Sequence, residues 1–126
     1  MGEYRSYIDG QIRKVNLQEA RVDSQFRELN ERVKDVCLTI AHKYSLTRVV
    51  LFGSLTDRSR FRLDSDIDIA VTGLDPTLYL DLWGDLENLL NHPFDLVQFE
   101  RASPSLQTCI LQEGVLLYDG EHEESQ

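Results

Sequence analysis

Asp66 and Asp68 stand two residues apart in an otherwise apolar stretch, DIDIAVT (66–72). In extended backbone that spacing sends both carboxylates out of the same face, with Ala70, while Ile67, Ile69 and Val71 leave the other. Aspartate is a poor strand former, and two like charges on one face repel, so the pair calls for compensation. A divalent cation supplies it; Mg²⁺ takes a few carboxylates and completes its shell with waters and phosphate oxygens. Asp95 interrupts a second apolar run, FDLVQF (94–99), in the same way. Delivered from a neighbouring strand, it adds a third carboxylate, enough for one or two Mg²⁺ ions. Upstream, Gly53 and Ser54 directly follow another apolar run. Glycine lets backbone approach a phosphate closely, and a serine hydroxyl with local N–H groups can hold its oxygens. The plain alternative places the acids at an exposed sheet edge and a strand start, and DxD alone favours it. The whole series (strand, Gly-Ser turn, loop, DxD strand, later Asp) favours metal-assisted chemistry on a phosphate.

Other chemistry-bearing residues are less telling. Arg58, Arg60 and Arg62 alternate through the loop before Asp66. They serve either a polyphosphate and its acceptor, or a solvated, salt-bridged loop. Asp64 reads as a loop cap or turn. His42 lies near a helix end and His92 before a proline, both structural by expectation, and His122 falls in the tail. Cys37 and Cys109 have no CxxC spacing and read as two reduced thiols. There is no Ser/His/Asp order, zinc spacing or Walker loop.

The elements that must position these residues are legible. Val22, Phe26, Leu29, Val33, Val36, Ile40 and Tyr44 recur at steps of four and three, a helical stripe. It either covers a core or projects in its first half to meet a second chain, a spacing that a short coiled-coil seam shares. Residues through about Asn16 show no clear periodicity and are expected to be weakly ordered alone. Thr47–Phe52 (TRVVLF) reads as a buried strand ending at Gly53, and 66–72 as the next, closed by Gly73. Pro76 is expected to open a helix with Leu78, Leu82, Trp83, Leu86, Leu89 and Leu90 inward, ending near His92-Pro93. Phe94–Phe99 makes a third strand. Ser103-Pro104 caps a short helix with Leu106, Ile110 and Leu111 inward, and Val115–Tyr118 a last short strand. The fold class is α/β: a mixed sheet of three to four strands with helices mainly on one face.

The 126 residues fit one domain, and 41% apolar content supports a single core. Thirteen basic against 22 acidic residues leave a net charge of −9. That surface repels phosphate backbones and argues against stable nucleic-acid binding, while it suits a basic partner or Mg²⁺. No apolar run is long enough to span a membrane and no signal-peptide core is seen, so a cytoplasmic protein is expected.

The segment LFGSLTDRSRFRLDSDIDIAV (51–71) resembles the signature of the DNA polymerase β-like nucleotidyltransferases, specifically the MNT (minimal nucleotidyltransferase) family: GS, a spacer, then DxD. The likeness runs closely over Val49–Val71, continues in order and type through Phe99, and extends to the ending EGVLLYDG (113–120). Periodicity and composition set a core over residues 22–118 with a long N-terminal helix, an extension over 1–21 and an acidic tail over 119–126, and the resemblance implies that this core is polymerase β-like. It also implies that Gly53 and Ser54 bind the nucleotide, and that Asp66, Asp68 and Asp95 bind Mg²⁺ and catalyse transfer from ATP; Arg58 and Arg60 join them as nucleotide-binding candidates on their charge alone. The spacer, Leu55–Ser65, is eleven residues, one more than the common family pattern, and lacks the glycine often found early in it. MNT proteins are often antitoxins that transfer AMP to a tyrosine of a HEPN-domain toxin. The resemblance therefore implies a HEPN partner in a hetero-oligomer. The alternatives are a contact-only antitoxin and a small-molecule nucleotidyltransferase acting on an antibiotic.

Overall fold

The structure, a computed structural model, describes residues 2–121, with side chains from Leu17 onward. Ten elements follow in chain order: helix α1 (Gly2–Lys43), strand β1 (Arg48–Phe52), a 3-10 turn (Gly53–Thr56), β2 (Ile67–Thr72), a second 3-10 turn (Pro76–Leu78), α2 (Tyr79–Leu90), β3 (Phe94–Gln98), a third 3-10 turn (Phe99–Arg101), α3 (Pro104–Glu113) and β4 (Val115–Asp119). The strands form one mixed sheet in the order β3-β2-β1-β4. β1 is antiparallel to both β2 and β4, and β2 is parallel to β3. The parallel step requires a crossover, which α2 provides.

The alternation read in the DxD stretch sorts the sheet into two faces. Ile67, Ile69 and Val71 are fully buried on one, against Leu29, Val33 and Ile40 of α1 and Leu82, Leu86 and Leu90 of α2. Each such leucine, fully removed from water, contributes about 1.5–3 kcal/mol. Three links fix the two helices to each other. Tyr44 donates its hydroxyl to Asp85 (2.6 Å), Lys43 pairs with Asp85 (2.7 Å), and Arg32 donates to the Leu90 carbonyl at the end of α2 (2.9 Å). The opposite face carries a smaller cluster of Phe52, Ala70 and Ile110, with Val50, Val97, Phe99 and Leu106 beside it. Thus α1 and α2 share one face, and α3 half-covers the other.

Four expectations change. Helix α1 starts at Gly2, where weak order was expected through about Asn16; once a helix is nucleated by packing, each added residue gains a backbone bond, so it propagates beyond its contacts. Pro76 opens a 3-10 turn capped by Asp75, and α2 begins three residues later at Tyr79. Leu89, expected inward, is 45% exposed because the stripe Leu82-Leu86-Leu90 takes the buried arc. Leu111, expected inward, is 68% exposed: it follows the fully buried Ile110, and adjacent helical residues point about 100° apart. The acidic tail falls partly on described residues, since Asp119 ends β4; residues 122–126 lie outside them.

Candidate active site at the ends of β1, β2 and β3

The site is assembled on the face that α3 covers only in part. In the ladder, Phe52 faces Asp68, and Asp68 faces Asp95. Asp68 and Asp95 therefore emerge side by side from adjacent strands, about 4.8 Å apart at the backbone. Asp66 lies one residue before β2, where the strand was expected to include it. Asp68 is half-buried; Asp66 and Asp95 are exposed.

The Gly-Ser turn closes over the same spot. Gly53 adopts a left-handed φ of +79°, a conformation glycine takes without steric cost. A methyl group built on it would overlap the Asp68 carboxylate. Glycine is thus required twice, by backbone angle and by contact. The turn is wound as a 3-10 helix over Gly53–Thr56, with Thr56 donating to the Gly53 carbonyl (2.7 Å) and Leu55 buried beneath it.

The electrostatics follow from this crowding. Burial, then the charges of Asp95 and Asp66, raise the Asp68 carboxyl from 3.8 to about 6. Among the described residues, nothing pairs or hydrogen-bonds with any of the three carboxylates. Three hard oxygen donors with uncompensated charge fit Mg²⁺ in kind. Among the described residues, no group of three or more His, Cys, Asp or Glu side chains is placed to hold a metal ion as it stands. Mg²⁺ sites of this type are finished by water and substrate phosphates, so two or three partly converged carboxylates suffice.

The loop arginines divide. Arg58 pairs with Asp23 of α1, and Arg60 lies 3.6 Å from Glu113 at the end of α3. Arg62 donates its backbone N–H to Ser65 (2.9 Å). The loop is held by the buried Phe61, edge-on to Phe26 of α1 at 5.4 Å. The structure brings Gly53, Ser54, Asp66, Asp68 and Asp95 to one place and leaves Arg58 and Arg60 tied to helices on either side. Two hollows, of about 620 Å³ lined by Val22, Arg58, Phe61 and Asp64 and of about 520 Å³ lined by Trp83, His92 and Phe94, flank the loop and α2 and include none of these five residues.

Two supporting contacts escape sequence reading. Asn30, off the apolar stripe of α1, donates its side-chain amide to the carbonyls of Phe26 (2.9 Å) and Leu55 (3.2 Å). His92 meets the Ser65 carbonyl through Nε2 (2.8 Å). Asn30 carries no local signal, because an Asn between helical arginines and glutamates looks like any exposed residue. The proline after His92 gives a turn and nothing more.

A family model described as polymerase beta, nucleotidyltransferase matches residues 34–123. The chain belongs to the polymerase β nucleotidyltransferase family. Its solved structural neighbours agree with that membership. The chain is 30% identical to a protein assigned as a minimal nucleotidyltransferase, over 71% of this chain and 93% of that one, with a TM-score of 0.59. It is 27% identical to a chain in a toxin–antitoxin crystal structure with AMP-PNP, over 73% of this chain and 77% of that one, at TM-score 0.60. It shares its fold with a chain in the complex of tri-AMPylated Shewanella oneidensis HEPN toxin and MNT antitoxin: 24% identity, 77% of each chain, TM-score 0.57. No curated protein matches the chain.

Proposed function

We propose that this nucleotidyltransferase is a Mg²⁺-dependent adenylyltransferase that moves AMP from ATP to a hydroxyl of a HEPN-domain partner, and so acts as an antitoxin. One observation carries the proposal: the Gly53 backbone closes onto Asp68, which stands beside Asp95 among acids unpaired within the described residues. A phosphate-approaching turn and a cation-demanding cluster then share one site. The choice of partner is supported by neighbours that are chains of toxin–antitoxin complexes, one of them with AMP-PNP.

Phosphoryl and nucleotidyl transfer is catalysed chiefly by positioning and charge neutralisation. Asp66, Asp68 and Asp95 would hold the cation, which would supply charge neutralisation for the triphosphate and the departing pyrophosphate. The N–H groups of the Gly53–Thr56 turn and the Ser54 hydroxyl hold phosphate oxygens. The acceptor oxygen attacks the α-phosphorus and the bond to the β-phosphate bridge breaks. Pyrophosphate leaves, and Asp95 takes the hydroxyl proton. A tyrosine is the acceptor by family likeness. With a net charge of −9 the surface suits a basic partner.

The test is intact mass of this protein and its partner after incubation with ATP and Mg²⁺. A gain of AMP units on the partner, absent with Asp66→Asn, supports the proposal; a wild-type transfer rate in that variant overturns it. A second reading, an antitoxin acting by contact alone, draws on the arginines' engagement with Asp23 and Glu113. Tight complex formation with no mass change would establish it.

A further inference from the structure

The spacer between the Gly-Ser turn and the DxD strand runs from Leu55 to Ser65. Its first and last residues are each held through the backbone carbonyl by a side chain from another element. Asn30 of α1 donates to the Leu55 carbonyl (3.2 Å), and His92, in the link between α2 and β3, meets the Ser65 carbonyl (2.8 Å). The Ser65 carbonyl accepts, so His92 carries its proton on Nε2 in this contact. Both residues are half-buried. A backbone bond from Ile67 N to the Pro93 carbonyl (3.0 Å) continues the second attachment into the β2–β3 ladder.

We infer that Asn30 and His92 are positioning residues for the transfer reaction: they clamp the two ends of the spacer, so that its length and motion do not reach Gly53–Ser54 on one side or Asp66 on the other. This rests on the proposed function. Leu55 belongs to the Gly53–Thr56 turn proposed above to hold the phosphate, and Asn30 ties that turn to α1. Ser65 precedes Asp66, and His92 ties it to the segment that starts β3, three residues before Asp95. The second clamp therefore fixes Asp66 relative to Asp95. Displacements near 1 Å in such a site cost up to about 100-fold in rate. Asn30 lies outside the residues matched by the family model, 34–123, so this clamp is supplied by the chain's own extended helix. A spacer one residue longer than the family pattern is tolerable where both of its ends are pinned.

The experiment compares wild type, Asn30→Ala, His92→Ala, His92→Gln and Ile40→Val. Calorimetric titration measures ATP affinity with Mg²⁺, steady-state assay with the partner measures KM for ATP and kcat, and thermal melting reports stability. Ile40→Val trims the core at the other end of the same helix and controls for lost stability. Asn30→Ala is expected to weaken ATP binding and raise KM about tenfold. His92→Ala is expected to lower kcat about tenfold with little change in KM, and His92→Gln, which restores an amide donor, to recover most of it. In wild type, a glycine inserted after Ser59 leaves ATP affinity within about twofold; in Asn30→Ala/His92→Ala it lowers affinity further. Variants that lose stability as Ile40→Val does, yet keep wild-type ATP affinity, KM and kcat, overturn the inference and leave the proposed function standing. Wild type that binds no ATP with Mg²⁺ overturns both.

Discussion

The two faces of the sheet are made from the same four strands and meet opposite fates. On one, β2 presents Ile67, Ile69 and Val71, and two helices bury them completely. On the other, the same strand presents Asp68 and Ala70; α3 covers Ala70 and stops short of Asp68. A ten-residue helix with one fully buried side chain is long enough to close only part of the face. The first face holds the fold. The second keeps a strip of strand ends free for charged groups that a closed core would not tolerate.

The comparison breaks most sharply at Gly53 and Asp68. Gly53→Ala or Asp68→Asn should lower AMP transfer by roughly a thousandfold or more, ~4 kcal/mol of transition-state stabilisation, by intact-mass or labelled-ATP assay. Next in size is the buried face: Leu86→Ala should cost about 2–5 kcal/mol in denaturant unfolding, with transfer per folded molecule retained. Loss of transfer in a fully folded Leu86→Ala sample would show that the faces are not separable.

A smaller effect sharpens the contrast through pH. The Asp68 carboxyl is raised to about 6 in the fold from 3.8, so between those values the native state holds a proton that the unfolded chain does not. Stability from this group is therefore highest below 3.8, falls as pH rises toward 6, and stays low above it. Without metal, Asp68→Asn should melt higher than wild type at pH 7 and alike near pH 4. Mg²⁺ should raise the wild-type melting temperature at pH 7, far less at pH 5, and EDTA should reverse the rise. The smallest effect belongs to the loop. Removing the exposed pairs Arg58–Asp23 or Arg60–Glu113 by Arg→Ala should change stability by about 0–1 kcal/mol. A rise in KM for ATP in either variant would give that arginine a role at the nucleotide as well.

Most of the sheet was legible because alternation and apolar runs report burial directly. Thr47–Phe52, the DxD strand and FDLVQF lie within a residue or so of β1, β2 and β3, and their acids and Gly-Ser turn meet as spacing implied. Helix faces were less legible. Leu89 and Leu111 look identical in sequence to their buried neighbours, and only the arc of each helix that meets the sheet tells them apart. The reach of α1 to Gly2 was hidden because helix propagation needs no apolar pattern. Asn30 and His92 were hidden for a different reason: each bonds a backbone carbonyl distant in sequence, which no residue type announces.

The close approach of Gly53 to Asp68 has a consequence for how this chain can change over generations. Two codons fifteen positions apart encode groups in close approach, so a side chain at 53 displaces the carboxylate at 68. Substitutions in contact are not additive. The cost of a side chain at position 53 is therefore set by which residue stands at 68.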